Sequence, residues 1–236
     1  MDNTWTPEKI EYFKSASGYT GFHEKLSALA EPYLDESWTL ADIGCGLGLL
    51  DCWLAHKVAC VEAIDIDEAA IADLKARIEG ASPENRKTAG NIKPRVASLD
   101  ELALAGESWD AVMLSFFGLN EESLEKVLAL AKRRVFIFTH GRPDAEGPLA
   151  ALDDGNKLSA AETEAFLRLK GYTYEKGAME TQFGQPFKTP EEIHAFLNGY
   201  ICEREQIIKT NRMDYPYYLP KSISVVLFII NMEGEK

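Results

Sequence analysis

At 236 residues, with 46% hydrophobic and 27% charged side chains, the chain has the makings of one large α/β domain carrying an insertion. Disordered, collagen-like and small disulfide-scaffold classes are excluded. Its 25 Lys and Arg against 38 Asp and Glu leave a formal charge of −13, which repels phosphate backbones and anionic lipid at long range, so neither nucleic acid nor a membrane surface is an expected partner.

In chain order, Thr6-Pro7-Glu8 reads as an N-cap followed by Pro at the first helical position. Phe22, Leu26, Leu29, Ala30 and Tyr33 then recur at helical spacing, so residues 1–38 are expected to form an N-terminal helical segment. From residue 39 short apolar runs alternate with amphipathic stretches. Strands are expected at 39–43, 59–64, 95–99, 109–115 and 135–139, with helices near 48–56, 67–79 and 121–132. That alternation implies parallel strands joined by right-handed crossovers, a doubly wound α/β fold.

A Pro/Gly/Asp-rich loop is expected from 140 to about 155, then a helix over 159–170, a strand over 172–180 and a last strand over 223–231. Between those strands, Thr189-Pro190-Glu191-Glu192 signals a capped helix with an apolar stripe of Ile193, Phe196, Leu197, Tyr200 and Ile201. Residues 188–221 therefore read as a helical insertion, and as a cap over a substrate pocket within a single domain spanning 1–236. The four cysteines, Cys45, Cys52, Cys60 and Cys202, show no ligand spacing, so reduced thiols and no metal are expected. The opening residues lack a basic region followed by an apolar one, and the longest apolar run, 225–230, is too short for a bilayer, which suggests a cytoplasmic protein.

The chemistry-bearing signal is Leu40-Ala41-Asp42-Ile43-Gly44-Cys45-Gly46-Leu47-Gly48, three alternate glycines where a strand hands over to a helix. Glycine there permits a tight turn and lets backbone approach a ligand. About 20 residues beyond Gly44, Asp65 ends the second expected strand, where a carboxylate can accept hydrogen bonds from both hydroxyls of a ribose. The spacing fails G-x-G-x-x-G because Leu49 occupies the sixth position, and no Gly-Lys-Ser/Thr follows for a P-loop. Asp42 beside the loop would oppose a pyrophosphate but complement an ammonium and a sulfonium, the charges of S-adenosylmethionine.

These residues resemble the class I, Rossmann-like, S-adenosylmethionine-dependent methyltransferases. The first motif is similar to residues 40–48 here, the second to Glu62-Ala63-Ile64-Asp65-Ile66-Asp67, the fourth strand to Trp109-Asp110-Ala111-Val112 and the fifth to 135–139. The resemblance runs from about residue 19 to the final strand and implies a mostly parallel seven-stranded sheet, order 3-2-1-4-5-7-6 with strand 7 antiparallel and helices on both faces. It implies S-adenosylmethionine as cofactor and S-adenosylhomocysteine as product. Tyr19, Asp42, Gly44, Cys45, Gly46, Gly48, Asp65, Ile66, Ser98, Leu99 and Ser115 are then the expected cofactor contacts. Ser98 stands where many members carry an adenine-contacting Asp, with Asp100 two residues on.

Ligands in open parallel sheets sit beyond the carboxyl ends of the strands, which brings residues 115–118 and 140–142 to the cleft. His140 is the candidate general base, because its ordinary pKa lies near neutrality. Phe116, Phe117, Tyr200, Tyr215, Tyr217 and Tyr218 are the candidate substrate residues. Ser115-Phe116-Phe117-Gly118 lacks both the Asn/Asp-Pro-Pro-Tyr/Phe of amino-methylating DNA enzymes and a Pro-Cys nucleophile, so a small-molecule acceptor is expected, with a homodimer allowed. Lys132-Arg133-Arg134 reads as cations at a helix end. Two other readings remain open: a non-catalytic binder of the same cofactor acting as a sensor or scaffold, and a nicotinamide oxidoreductase.

Overall fold

A computed structural model describes residues 5–84, 89–141, 158–199 and 206–232. Tyr200, Ile201, Cys202, Arg142 and most of the loop expected after residue 140 lie outside them. The Thr6 hydroxyl accepts from the Lys9 amide at 3.3 Å, so α1 (Pro7–Thr20) starts at the expected cap. Gly21, at φ 62°, ends it in the left-handed conformation and α2 (Phe22–Ala30) follows directly.

Strands β1 (Thr39–Ile43), β2 (Cys60–Asp65), β3 (Ile92–Val96), β4 (Trp109–Ser115) and β5 (Ala131–His140) run parallel. Between them lie α3 (Asp51–Leu54), α4 (Glu68–Glu79), α5 (Leu99–Ala105) and α6 (Glu121–Leu130). Then come α7 (Ala160–Leu169), β6 (Thr173–Gln182), β7 (Gln185–Phe187), α8 (Pro190–Gly199), β8 (Ile208–Lys209), β9 (Tyr217–Leu219) and β10 (Ser222–Asn231). The main sheet is ordered β3-β2-β1-β4-β5-β10-β6, with β10 antiparallel to both neighbours. This is the expected order, the seventh strand being β10 because three short strands precede it.

Alternation along the central strands makes the two core layers. Ala111, Met113, Phe136 and Phe138 join Phe22, Leu26 and Leu54 on one face. Val112, Leu114, Val135 and Ile137 join Leu102, Leu124, Leu128 and Phe166 on the other. Because both faces are covered, these strands read as near-continuous apolar runs.

Four expectations change. The third strand ends at Val96, not Leu99, because Ser98 is the N-cap of α5: its hydroxyl accepts from the Glu101 amide at 3.2 Å while the Glu101 carboxylate accepts the Ser98 amide at 2.8 Å. The helix expected over 48–56 shrinks to the single turn of α3. Lys132, Arg133 and Arg134 lie in β5 rather than at a helix end; Arg133 pairs with Asp110 at 3.4 Å and Arg134 lies over the Tyr33 ring. The insertion is not purely helical: β7, β9 and β8 form a separate antiparallel sheet. Strands of two or three residues, with Pro186 inside β7 and Pro216 just before β9, carry no period-2 signal.

Candidate active site

A cavity of about 1230 Å³ opens at the carboxyl ends of β1, β2, β4 and β5. Its floor is the glycine loop. The Gly44 and Cys45 amides donate to the Ile64 carbonyl at 2.7 and 3.0 Å, locking the loop to β2. Gly46 sits at φ 54°, a conformation that strains any residue with a Cβ, and a Cβ built there would come within 3.4 Å of the Trp5 indole. The Phe117 ring closes on the Gly44 backbone, so that glycine is required by packing as well as by its φ of 75°. Asp65 accepts from the Gly46 amide at 2.8 Å on one oxygen and from the Asp67 amide at 2.9 Å on the other. Its carboxylate therefore shapes the loop while bordering the cavity.

Beneath the loop, Asp42 and Asp51 are both buried and close enough for the charge of one to act on the other. Burial, reinforced by the Asp51 charge, raises the Asp42 carboxyl well above its usual range; burial likewise pushes Asp51 to about 7. Asp42 Oδ1, both Asp51 oxygens and Ser115 Oγ are buried without a hydrogen-bond partner, and Asp42 and Ser115 border the cavity. Burial also holds the Cys45 thiol up, which makes it a cavity wall rather than a nucleophile.

Asp42, Gly44, Cys45, Gly46, Asp65, Ile66, Ser98, Leu99, Ser115, Phe116, Phe117 and His140 all border this one space. Gly48 lies outside it, packed against Leu74 and Asp51. Ser98 spends its hydroxyl on the Glu101 carboxylate, 2.8 Å away. The Leu99 amide lies in the first turn of α5, where amides are left without an intrahelical acceptor. The structure does not bring Tyr19, Tyr215, Tyr217 or Tyr218 to the cavity. Pairing of β9 with β7 and β8 holds Tyr217 and Tyr218 in the small sheet, and Tyr218, 8% exposed, stacks on Tyr19 at 4.8 Å. Arg212 covers Tyr19 at 4.5 Å, and Tyr215 meets that ring edge-on at 5.8 Å.

Trp5, Phe13, Phe22, His23, Phe183 and Lys221 also border the cavity. Each belongs to a segment far from the glycine motif, so no spacing rule pointed to them. Phe116 was expected, but not its φ of 55°, rare for a residue with a side chain and fixed by its amide donating to the Phe138 carbonyl at 2.9 Å. Among the described residues no group of three or more His, Cys, Asp or Glu could hold a metal, and no helix is long and apolar enough to cross a membrane.

The open sheet has an antiparallel strand beside β5, and its glycine loop faces an acid at the end of β2, the arrangement that the sequence resemblance implies. Residues 40–135 match a family model described as a methyltransferase domain. Those residues are thus similar to a methyltransferase domain, and the order of the main sheet is the one that the resemblance to class I, Rossmann-like methyltransferases implies.

Among solved structures, the chain is similar to YcgJ of Bacillus subtilis (16% identity, 90% of this chain and 100% of that one, TM-score 0.56). It is similar to magnesium protoporphyrin IX methyltransferase ChlM from Synechocystis PCC 6803 with bound S-adenosylhomocysteine (16% identity, 98% and 90%, TM-score 0.54). A third is PH1948 of Pyrococcus horikoshii, described as a candidate RNA methyltransferase (14% identity, 89% and 84%, TM-score 0.56). Likeness at this identity speaks for the fold alone. No protein of curated function matches the chain.

Proposed function

We propose that the chain methylates a small-molecule acceptor bound in the part of the cavity away from Asp65. The observation that carries this reading is the wall of that part: Phe13, Phe22, Phe116 and Phe183, drawn from both N-terminal helices, the end of β4 and the turn after β6, border a recess rather than a flat or basic surface. The net charge of −13 supports it by opposing polyanions.

The residues present fit the cofactor. Asp65 would take the ribose hydroxyls, Ile66 and the Leu99 amide the adenine, and the glycine loop with Asp42 the amino-acid end, where the unpartnered Asp42 and Ser115 oxygens await donors. S-adenosylmethionine supplies a methyl group on a cationic sulfur. The chain's own task is to position an acceptor in line with that methyl and exclude water, with His140, exposed at the end of β5, receiving a proton where the acceptor releases one. Residues 188–221 act as a cap through α1: Phe196 packs on Tyr12 at 5.1 Å, holding in place the helix that carries Phe13.

Calorimetric titration with S-adenosylhomocysteine tests the cofactor site. Asp65→Ala removes a charge-assisted pair of hydrogen bonds, about 1.5–3 kcal/mol, and weakens binding at least tenfold. Unchanged affinity in a folded variant would sink the assignment. S-adenosylhomocysteine formation with fractionated small metabolites, but not with RNA or protein fractions, is the result expected of the enzyme; turnover confined to a macromolecular fraction refutes the acceptor class.

A further inference from the structure

The aromatic wall is continuous. Trp5 meets Phe13 at 5.2 Å, Phe13 meets Phe183 at 5.1 Å, Phe183 meets Phe22 at 4.6 Å, Phe22 stacks on Phe116 at 5.9 Å and Phe116 meets His140 at 4.8 Å between ring centroids. It runs from above Gly46 to the end of β5, beside the region the cofactor would occupy. A cavity of about 1230 Å³ exceeds the usual span for one ligand, roughly 300–1,000 Å³, and leaves room for a second molecule against this wall.

Into the wall is set one polar group of defined orientation. The His23 side chain, 8% exposed, is packed among Phe13, Phe22 and Phe183, and its Nδ1 lies 2.6 Å from Ser17 Oγ. Its Nε2 has no hydrogen bond among the described residues. Burial, with a smaller push from the Arg77 charge, lowers the His23 pKa to about 4, so the ring is neutral near pH 7. The Ser17 hydroxyl can donate to Nδ1 or accept from it, which lets Nε2 play the complementary part. A hydroxyl, both donor and acceptor, satisfies either arrangement.

We infer that the methyl acceptor is a planar aromatic molecule bearing a ring hydroxyl, its face against Phe22, Phe116 and Phe183 and its hydroxyl on His23 Nε2. This rests on the methyl-transfer reading above and names its substrate class. Offset or edge-on ring packing supplies affinity and holds the ring plane, and His23 selects the hydroxyl. In the reaction the ring-hydroxyl oxygen forms its bond to the methyl carbon as the carbon–sulfur bond breaks and the sulfur keeps the bonding pair. The hydroxyl proton passes to His140, which is exposed at the end of β5 and borders the same cavity. Lys221, bordering the same cavity, would favour the deprotonated oxygen as the proton leaves ahead of the transfer.

The probe is 2-naphthol, titrated by its own fluorescence into protein saturated with S-adenosylhomocysteine. Naphthalene and decahydro-2-naphthol serve as partners lacking the hydroxyl or the aromatic plane. The expected result is saturable 2-naphthol binding at least tenfold tighter than that of the saturated alcohol. Phe183→Leu should weaken it at least fivefold with S-adenosylhomocysteine affinity unchanged. His23→Phe should abolish the preference for 2-naphthol over naphthalene, and His23→Gln, which keeps a polar group there, should restore part of it. Equal binding of the saturated alcohol, or no binding of 2-naphthol to protein that still holds S-adenosylhomocysteine, overturns the inference and leaves the methyltransferase standing. Failure of S-adenosylhomocysteine itself to bind overturns both.

Discussion

Two carboxyl groups buried beneath a glycine loop are costly unless one of them is protonated, and Asp42 and Asp51 are such a pair. Asp51 titrates near 7 when folded and near 3.9 when unfolded, so the unfolded chain gives up its proton first. Stability from this site is full below about pH 4, falls as pH rises to 7 and is level above that. Asp51→Asn should therefore match the parent at pH 4 and exceed it by on the order of 1–3 kcal/mol at pH 8, read by urea unfolding at both values. An advantage that did not grow with pH would show that the pair is not strained. Asp65 is legible in the sequence as the acid at the end of β2, because a fixed separation from the glycines brings it to the loop. Asp51 is not, since a polar residue three positions after Gly48 reads as the exposed side of a helix start.

The insertion shows at the level of elements how correct local signals can be assembled differently. Its cap box was visible: the Thr189 hydroxyl accepts from the Glu192 amide at 3.2 Å, and Ile193 and Phe196 lie on the packed side of α8. The tyrosines read as a pocket lining in the sequence, yet the small sheet turns Tyr218 onto Tyr19, and the insertion meets α1 through Phe196 on Tyr12. Replacing 188–221 by a short turn uncovers the Tyr12 side of α1 but spares the glycine loop, both main core layers and Asp65. Cofactor affinity should stay within a few-fold of the parent while turnover is lost, as measured by titration and by S-adenosylhomocysteine release. Full activity in the shortened protein would make the insertion dispensable, and joint loss of folding and cofactor binding would make it core.

For the molecule as a whole, electrostatics weighs against a polyanionic substrate. With 38 acidic and 25 basic side chains, approach of a phosphate backbone is opposed at distances up to the Debye length, about 8 Å at physiological salt, and lowering the salt strengthens the opposition. Fluorescence anisotropy with a labelled 20-nucleotide RNA and the matching DNA duplex at about 0.15 M salt should show no saturable binding. Micromolar affinity that tightens as salt falls would reverse the assignment of the acceptor. The basic run at residues 132–134 does not change this balance, because Arg133 is engaged with Asp110 and lies over Trp38, and Arg134 lies over Tyr33.

The sequence by itself determined the alternation of strands and helices, the glycine loop and its partner acid, since each rests on spacing within one βαβ unit. Periodicity and caps report a residue's surroundings over a few positions, so they located β1 and β4 to the residue and still ran β3 into the cap of α5. Only the tertiary structure decided what walls the cavity. Gln185 and Ser15, 170 residues apart in the chain, hydrogen-bond at 3.0 Å, and that docking of β7 on α1 is what sets Phe13, His23 and Phe183 ring against ring. Contacts of such separation are selected by how whole layers pack, a property of the closed fold that no local pattern of residues encodes.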